Sequence, residues 1–327
     1  MNLLEQQAAN RRRTVLIMAV FVGFFVFLGM GFDLFMLGAD RPFVPIGAVV
    51  ALGVGSVSAL AGYFSGDRAV LASAGAVPLV TAGETASGDR RFKLHQLQNV
   101  VDEMAIAAGL PRPKVFVVPD ADPNAFATGR DPAHASVAVT EGLLDTLDRD
   151  ELQGVVAHEM SHIRNFDIRL MTVIAALIGA VVLLSDWAGR SMRWGIPRGG
   201  RRSRGSKGGG GAIMLVVLVI WLVAVILAPF IAQLLAFAVS RQREYLADAS
   251  GAELTRNPGA LAGALEKLEG HVAPTRAIKR GSAHLCITDP LGRKVDLKEG
   301  FWADLFATHP PMARRIEALR KMAFQRA

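Results

Sequence analysis

Two nearly uncharged runs close to the N-terminus limit what this chain can fold into more than any other feature. Thr14 to Leu37 carries one charge, Asp33, and Pro42 to Phe64 carries none over 23 residues. About 20 apolar residues suffice for a helix to cross a bilayer, so both runs read as transmembrane helices joined by a short link. A cleaved signal peptide is the alternative for the first run. Its length, and the lack of a small-residue cleavage site before the second, speak against it. Arg11, Arg12 and Arg13 precede the first run, Arg68, Arg90, Arg91 and Lys93 follow the second, and the link holds only Arg41. The positive-inside tendency then predicts that the N-terminus and the chain after Phe64 lie in the cytoplasm. The composition agrees: 51% of the 327 residues are hydrophobic and the mean hydropathy is +0.33.

The net charge of +7 looks like a nucleic-acid signal until it is located. Arg190, Arg193, Arg198, Arg201, Arg202, Arg204 and Lys207 lie between Ala188 and Gly211 with no acidic residue among them. The excess therefore belongs to one flexible Gly-rich loop, suited to anionic lipid headgroups rather than to nucleic acid. A second apolar pair flanks it, Leu170 to Ser185 with 16 uncharged residues and Ala212 to Val239 with 28. The lone Cys286 excludes an intramolecular disulfide and fits a reducing compartment.

Between the apolar pairs the pattern is that of a soluble domain. Lys93 to Ala108 has helical periodicity through Leu94, Leu97, Val100, Val101, Met104 and Ala105, and Gly109-Leu110-Pro111 stops it. Lys114 to Val118 and Ser136 to Thr140 read as short strands, with Pro123 to Gly129 a loop or strand edge. Asp148 and Glu151 have capping-box spacing ahead of a helix carrying Leu152, Val155 and Val156. Further helices are expected at Arg241 to Leu254, Gly259 to Glu269 and Met312 to Ala323.

The helix that starts at Asp148 presents His158-Glu159-Met160-Ser161-His162. Residues four apart are about 40° apart around a helix, so both imidazoles project from one face and can grip one Zn²⁺. Glu159 lies beside them as a general base for an attacking water, the H-E-x-x-H arrangement of zinc proteases. A catalytic zinc needs a third protein ligand. Glu244 and Asp248 share a helix face at i, i+4; one can bind metal while the other fixes the tautomer of a ligand histidine. A solvated charged face with Arg241 and Arg243 is equally open on spacing alone.

Five motifs occur in order: Asn124 to Gly129; Val137 to Gly142; His158 to His162 with Asn165 and Asp167; Arg243-Glu244 with Ala247-Asp248; and Thr308-His309-Pro310-Pro311 with Arg315. In these the chain resembles the HtpX-like membrane zinc metalloproteases, a gluzincin type related more distantly to the CAAX prenyl endopeptidases. The resemblance implies a mainly helical α+β zincin-like metalloprotease domain with a small sheet, plus transmembrane helices. It implies His158, His162 and Glu244 as ligands of one Zn²⁺, Glu159 as base and Asp248 as the partner of a ligand histidine. His309 and Arg315 would lie near the substrate carbonyl or backbone. Asn124, Ala125 and Phe126, with Val137 and Val139, would form a cleft edge where an extended polypeptide adds as a strand.

The expected organisation is a membrane hairpin (residues 1–66), the first part of the protease domain (67–169), a hydrophobic hairpin with the basic loop (170–239) and the second part of the domain (240–327). Because His162 and Glu244 must meet, the second apolar pair crosses the membrane twice or not at all. The implied role is cleavage of misfolded or damaged membrane proteins at the cytoplasmic face of a bacterial inner membrane, in quality control and stress response. Polypeptides and membrane lipid are the expected partners, and nucleic acid is not. An intramembrane site is disfavoured because Arg164, Asn165 and Asp167 follow His162 at once. A non-catalytic zinc-binding membrane adaptor of the same fold is the alternative from another class, and the N-terminal runs exclude a soluble secreted zincin.

Overall fold

The computed structural model describes residues 3–37, 45–179, 241–271, 285–288 and 310–324. The basic loop, the run Ala212 to Val239 and His309 lie outside the described residues.

Helix α1 (Leu3–Leu37) and helix α2 (Ile46–Ser73) form the N-terminal hairpin, and both contain stretches long and apolar enough to cross a membrane. Helix α1 begins well before the apolar run, because Arg11 to Arg13 are good helix formers and nothing in the sequence breaks the helix there. Val15, Leu16, Val49, Val50 and Val57 stand exposed on the hairpin, an apolar surface suited to lipid. The helices approach closely where side chains are absent: a Cβ on Gly29 would stand 2.3 Å from the Gly47 carbonyl oxygen. Asp33, the one charge in the first run, accepts from the N–H groups of Gly47 at 2.7 Å and Ala48 at 2.9 Å. It thus caps the otherwise unsatisfied N-terminus of α2.

Strands β1 (Val77–Pro78), β2 (Lys114–Val118), β3 (Ala125–Gly129) and β4 (Ala135–Thr140) make one mixed sheet in the order β1-β2-β4-β3. β2 and β4 are parallel, while β3 runs antiparallel to β4. Helix α3 (Leu79–Thr85) leads to α4 (Gly88–Ala108), whose buried residues are the expected stripe of Leu94, Leu97, Val100, Val101, Met104 and Ala105. Gly109 ends α4 at φ +64°, a left-handed cap that glycine adopts without strain. Helix α5 (Glu141–Thr146) follows β4.

Helix α6 (Arg149–Arg164) is the centre of the domain. It opens with the expected capping box, Asp148 accepting from the Glu151 N–H at 2.9 Å and Glu151 accepting from the Asp148 N–H at 3.0 Å. Every residue from Gly154 to Ile163 is buried, because α4, the sheet, α8 (Arg241–Thr255) and α9 (Pro258–Glu269) all pack on it. After a turn at Asn165-Phe166, a helix α7 covers 167–179. Helix α10 (Met312–Phe324) closes the core with Arg315, Ile316 and Leu319. The architecture is therefore mainly α with a small sheet and two membrane-length helices, as the sequence implies.

Glycine sets the distance between the two helices that matter most. A Cβ on Gly251 of α8 would lie 3.0 Å from the His158 backbone nitrogen, so α8 sits almost against the backbone of α6. Gly251→Leu is expected to push the helices apart, lowering the melting temperature by several degrees and reducing the zinc retained by purified protein. A variant that melts and loads zinc like the wild type would contradict this close approach.

Candidate metal centre

His158 and His162 project from one face of α6 toward Glu244 on α8. Their ring planes stand 87° apart, and the two Nε2 atoms are 3.2 Å from each other. Glu244 lies with Oε1 3.5 Å from His162 Nε2 and Oε2 3.6 Å from His158 Nε2. One ligand atom from each residue falls within 4.8 Å of the others, and all three residues are buried.

The outward nitrogens are held by carboxylates. His158 Nδ1 is 2.9 Å from Asp248 Oδ1, and His162 Nδ1 is 3.1 Å from Asp167 Oδ2. With a carboxylate beside each Nδ1, both Nε2 atoms face inward, beside the oxygens of Glu244. Lone pairs converging in a water-poor interior repel unless a cation lies between them. Two imidazoles and one carboxylate, with an open fourth position, are a donor set that zinc accepts. Without a metal, a proton on His158 can supply the positive charge instead. Burial disfavours a proton on His158, but Asp248 and then Glu244 outweigh it and raise its pKa to about 9.

Asp248 is itself clamped. Arg315 donates to it through Nε at 2.8 Å and through Nη2 at 2.7 Å, a bidentate pair. Burial alone would raise the Asp248 pKa; Arg315, and then His158, bring it down to about 2. The same guanidinium donates from Nη1 to the Ile287 carbonyl at 3.1 Å and stands 3.4 Å from Glu244 Oε2. Arg315 is 0% exposed. Expected near the substrate carbonyl, it is held behind His158 and Glu244 by Asp248 and the Ile287 carbonyl. His309 lies outside the described residues.

Glu159 is buried next to His158. Burial raises its pKa, and the neighbouring histidines pull against that shift. A carboxylate made more basic in this way is better matched to taking a proton near neutral pH.

The expected cleft edge is only partly where the sequence suggests. β3 is the outer strand of the sheet, whereas β4 is flanked on both sides. Val137 and Val139, 0% and 1% exposed, belong to the core and offer no free edge, which corrects that expectation. Asn124, Ala125 and Phe126 are buried against residues 285–288 of the same chain. Ile287 N–H donates to the Ala125 carbonyl at 3.0 Å, Phe126 bridges to Cys286, and Asn124 Nδ2 donates to the Thr288 carbonyl at 3.2 Å. The sequence placed Asp167 in the motif that follows His162 but gave it no role at the site.

A helix bearing two histidines with a glutamate between them, met by a glutamate from a second helix, is a metalloprotease centre of the H-E-x-x-H type. The chain belongs to peptidase family M48, whose model matches residues 92–323. A protease HtpX homologue of Thermoanaerobacter pseudethanolicus is 46% identical over 260 residues, 80% of this chain and 79% of that one. One from Listeria innocua is 44% identical over 326 residues, covering 98% of this chain and 100% of its own. Among solved structures, Ste24p of S. mikatae matches 97% of this chain and 67% of that chain with a TM-score of 0.48 and 18% identity. The protein is thus a metalloprotease, a hydrolase with two membrane-length helices.

Breaking the Arg315–Asp248 pair should be felt at the metal. Arg315→Met is expected to destabilise the fold by about 3–5 kcal/mol, since it strands a buried carboxylate. It should also weaken zinc binding about 10- to 100-fold, the usual cost of losing the partner behind a ligand. Thermal melts and chelator competition read the two effects. Unchanged zinc affinity would show that Asp248 does not need the clamp.

Proposed function

We propose that the protein is a zinc endopeptidase of the cytoplasmic membrane. On this reading it cleaves misfolded or damaged membrane proteins at the cytoplasmic face. The observation that carries the reading is the buried convergence of His158, His162 and Glu244 with the Glu159 carboxylate one residue from the first ligand. His158, His162 and Glu244 would hold one Zn²⁺ per chain. Bound there, the ion would polarise the scissile carbonyl and make a water more acidic.

The chain's own residues do the rest. Glu159 takes the proton of the attacking water and passes it to the nitrogen of the leaving amine. Its raised pKa, caused first by burial, suits both transfers. Asp248 and Asp167 keep each ligand imidazole in the tautomer whose Nε2 lone pair points inward. Arg315 holds Asp248 in place.

Action at the cytoplasmic face is supported by the way α1 meets the catalytic helix. Gln7 and Asn10 of α1 contact the C-terminal end of α6, and the apolar run of α1 starts at Thr14. Arg11 to Arg13 lie at the same level, which by the positive-inside tendency is the cytoplasmic side. A site at headgroup height can take a segment of a membrane protein that has slipped out of the bilayer.

The test uses wild type and Glu159→Gln, purified in detergent and incubated with casein, with and without chelator. The variant is expected to bind as much zinc as the wild type while its rate falls by about 10²- to 10⁴-fold, the share a positioned acid–base group supplies. Only zinc-loaded wild type should cut efficiently. Retained cleavage by Glu159→Gln would remove Glu159 from the mechanism. A zinc-saturated wild type that cuts no substrate would favour a non-catalytic adaptor.

A further inference from the structure

The first membrane helix carries a polar stripe that a simple anchor would not need. Gln7, Asn10 and Thr14 recur at spacings of three and four, so they share one face of α1. Gln7 Nε2 donates to the Arg164 carbonyl at 2.8 Å and Asn10 Nδ2 donates to the Asn165 carbonyl at 3.0 Å. These carbonyls end α6, where the helix has no N–H of its own left to offer them. Asn10 Nδ2 also donates to Asp167 Oδ1 at 2.7 Å. Both partners of this amide group are acceptors, so chemistry alone requires the nitrogen, not the oxygen, to face them.

Asn10 is 1% exposed and Asp167 is 0% exposed. A buried amide without partners is destabilising, and asparagine is a poor helix former. Its place on α1 is explained by what it holds. Asp167 divides its two oxygens: Oδ1 accepts from Asn10 at 2.7 Å and lies 3.4 Å from Arg243 Nη1, while Oδ2 faces His162 Nδ1 at 3.1 Å. Of the two donors on Oδ1, Asn10 makes the shorter contact. Thr14 does not compete for Asp167, because its hydroxyl donates back to the Asn10 carbonyl at 2.9 Å.

We infer that Asn10 is a positioning residue of the metal centre. From the first membrane helix it aims Asp167 at His162 Nδ1, so that the Nε2 lone pair of His162 points to the metal position. The membrane hairpin is then part of the scaffold of the site rather than a detachable anchor. The inference rests on His158, His162 and Glu244 being the zinc ligands.

The experiment measures the zinc dissociation constant of the full-length chain in detergent by competition with a chromogenic chelator. Losing the partner behind a ligand weakens metal binding 10- to 100-fold. Asn10 acts one step further out, so Asn10→Ala is expected to weaken binding about tenfold, at the low end of that range. Gln7→Ala also loses a bond to an α6 carbonyl but none to Asp167, and should leave the constant within about twofold. In an Asp167→Asn background, Asn10→Ala should add little, because both changes remove the same interaction. If Asn10→Ala does not fold, Asn10→Ser makes a smaller change, and weaker zinc binding is again the expected result. An unchanged constant in the Asn10 variant, an equal loss in Gln7→Ala, or full additivity with Asp167→Asn would each overturn the inference. A wild type that takes up no zinc would instead remove the metal site on which it stands.

Discussion

Two imidazole nitrogens 3.2 Å apart, facing a carboxylate in a buried pocket, form an arrangement that a protein interior does not hold without compensation. The rest of the domain can be read as what holds it. The capping box at Asp148 fixes where α6 starts, and therefore which residues face α8. The bare face of Gly251 lets α8 lie close enough for Glu244 to reach both histidines. Each imidazole is then backed by an aspartate, and each aspartate by donors from elsewhere in the chain. Asp248 is held by Arg315 of α10, and Asp167 by Asn10 of α1 and Arg243 of α8.

This arrangement spreads the site over the whole fold. The proposed ligands come from two helices, but the groups behind them bring in the C-terminal helix and the N-terminal helix. The guanidinium groups of Arg11 and Arg169 lie 4.8 and 4.9 Å from the ring centroid of Phe166, in the turn after α6. The turn that carries Asn165 and leads to Asp167 is therefore gripped by α1 on its surface as well as in its interior. If the apolar run of α1 crosses a bilayer, as proposed, a site supported in this way stands next to the bilayer boundary. That placement suits a protease whose proposed substrates are membrane proteins.

What was legible in the sequence follows from the range of the interactions. The α4 stripe, the capping box and the pairing of His158 with His162 are local patterns with helical period, and the structure reproduces them residue by residue. Glu244 and Asp248 share a face for the same reason, although spacing alone did not say which would meet the histidines. Arg315 and Asn10 reach partners 67 and 157 positions away, and no periodicity marks such pairs. Val137 and Val139 were misplaced because an alternating strand reads the same at the middle of a sheet as at its edge. The role of residues 285–288 in covering Asn124 to Phe126 also depends on a long-range contact, 164 positions from Asn124 to Thr288.

The central claim is that His158, His162 and Glu244 bind zinc through nitrogen and oxygen. X-ray absorption at the zinc edge of the zinc-loaded full-length protein in detergent tests it directly. Two imidazole nitrogens at about 2.0–2.1 Å and oxygen at about 2.0–2.2 Å, with no sulfur, are expected. A sulfur shell at about 2.3 Å, or a spectrum without imidazole scattering, would contradict it.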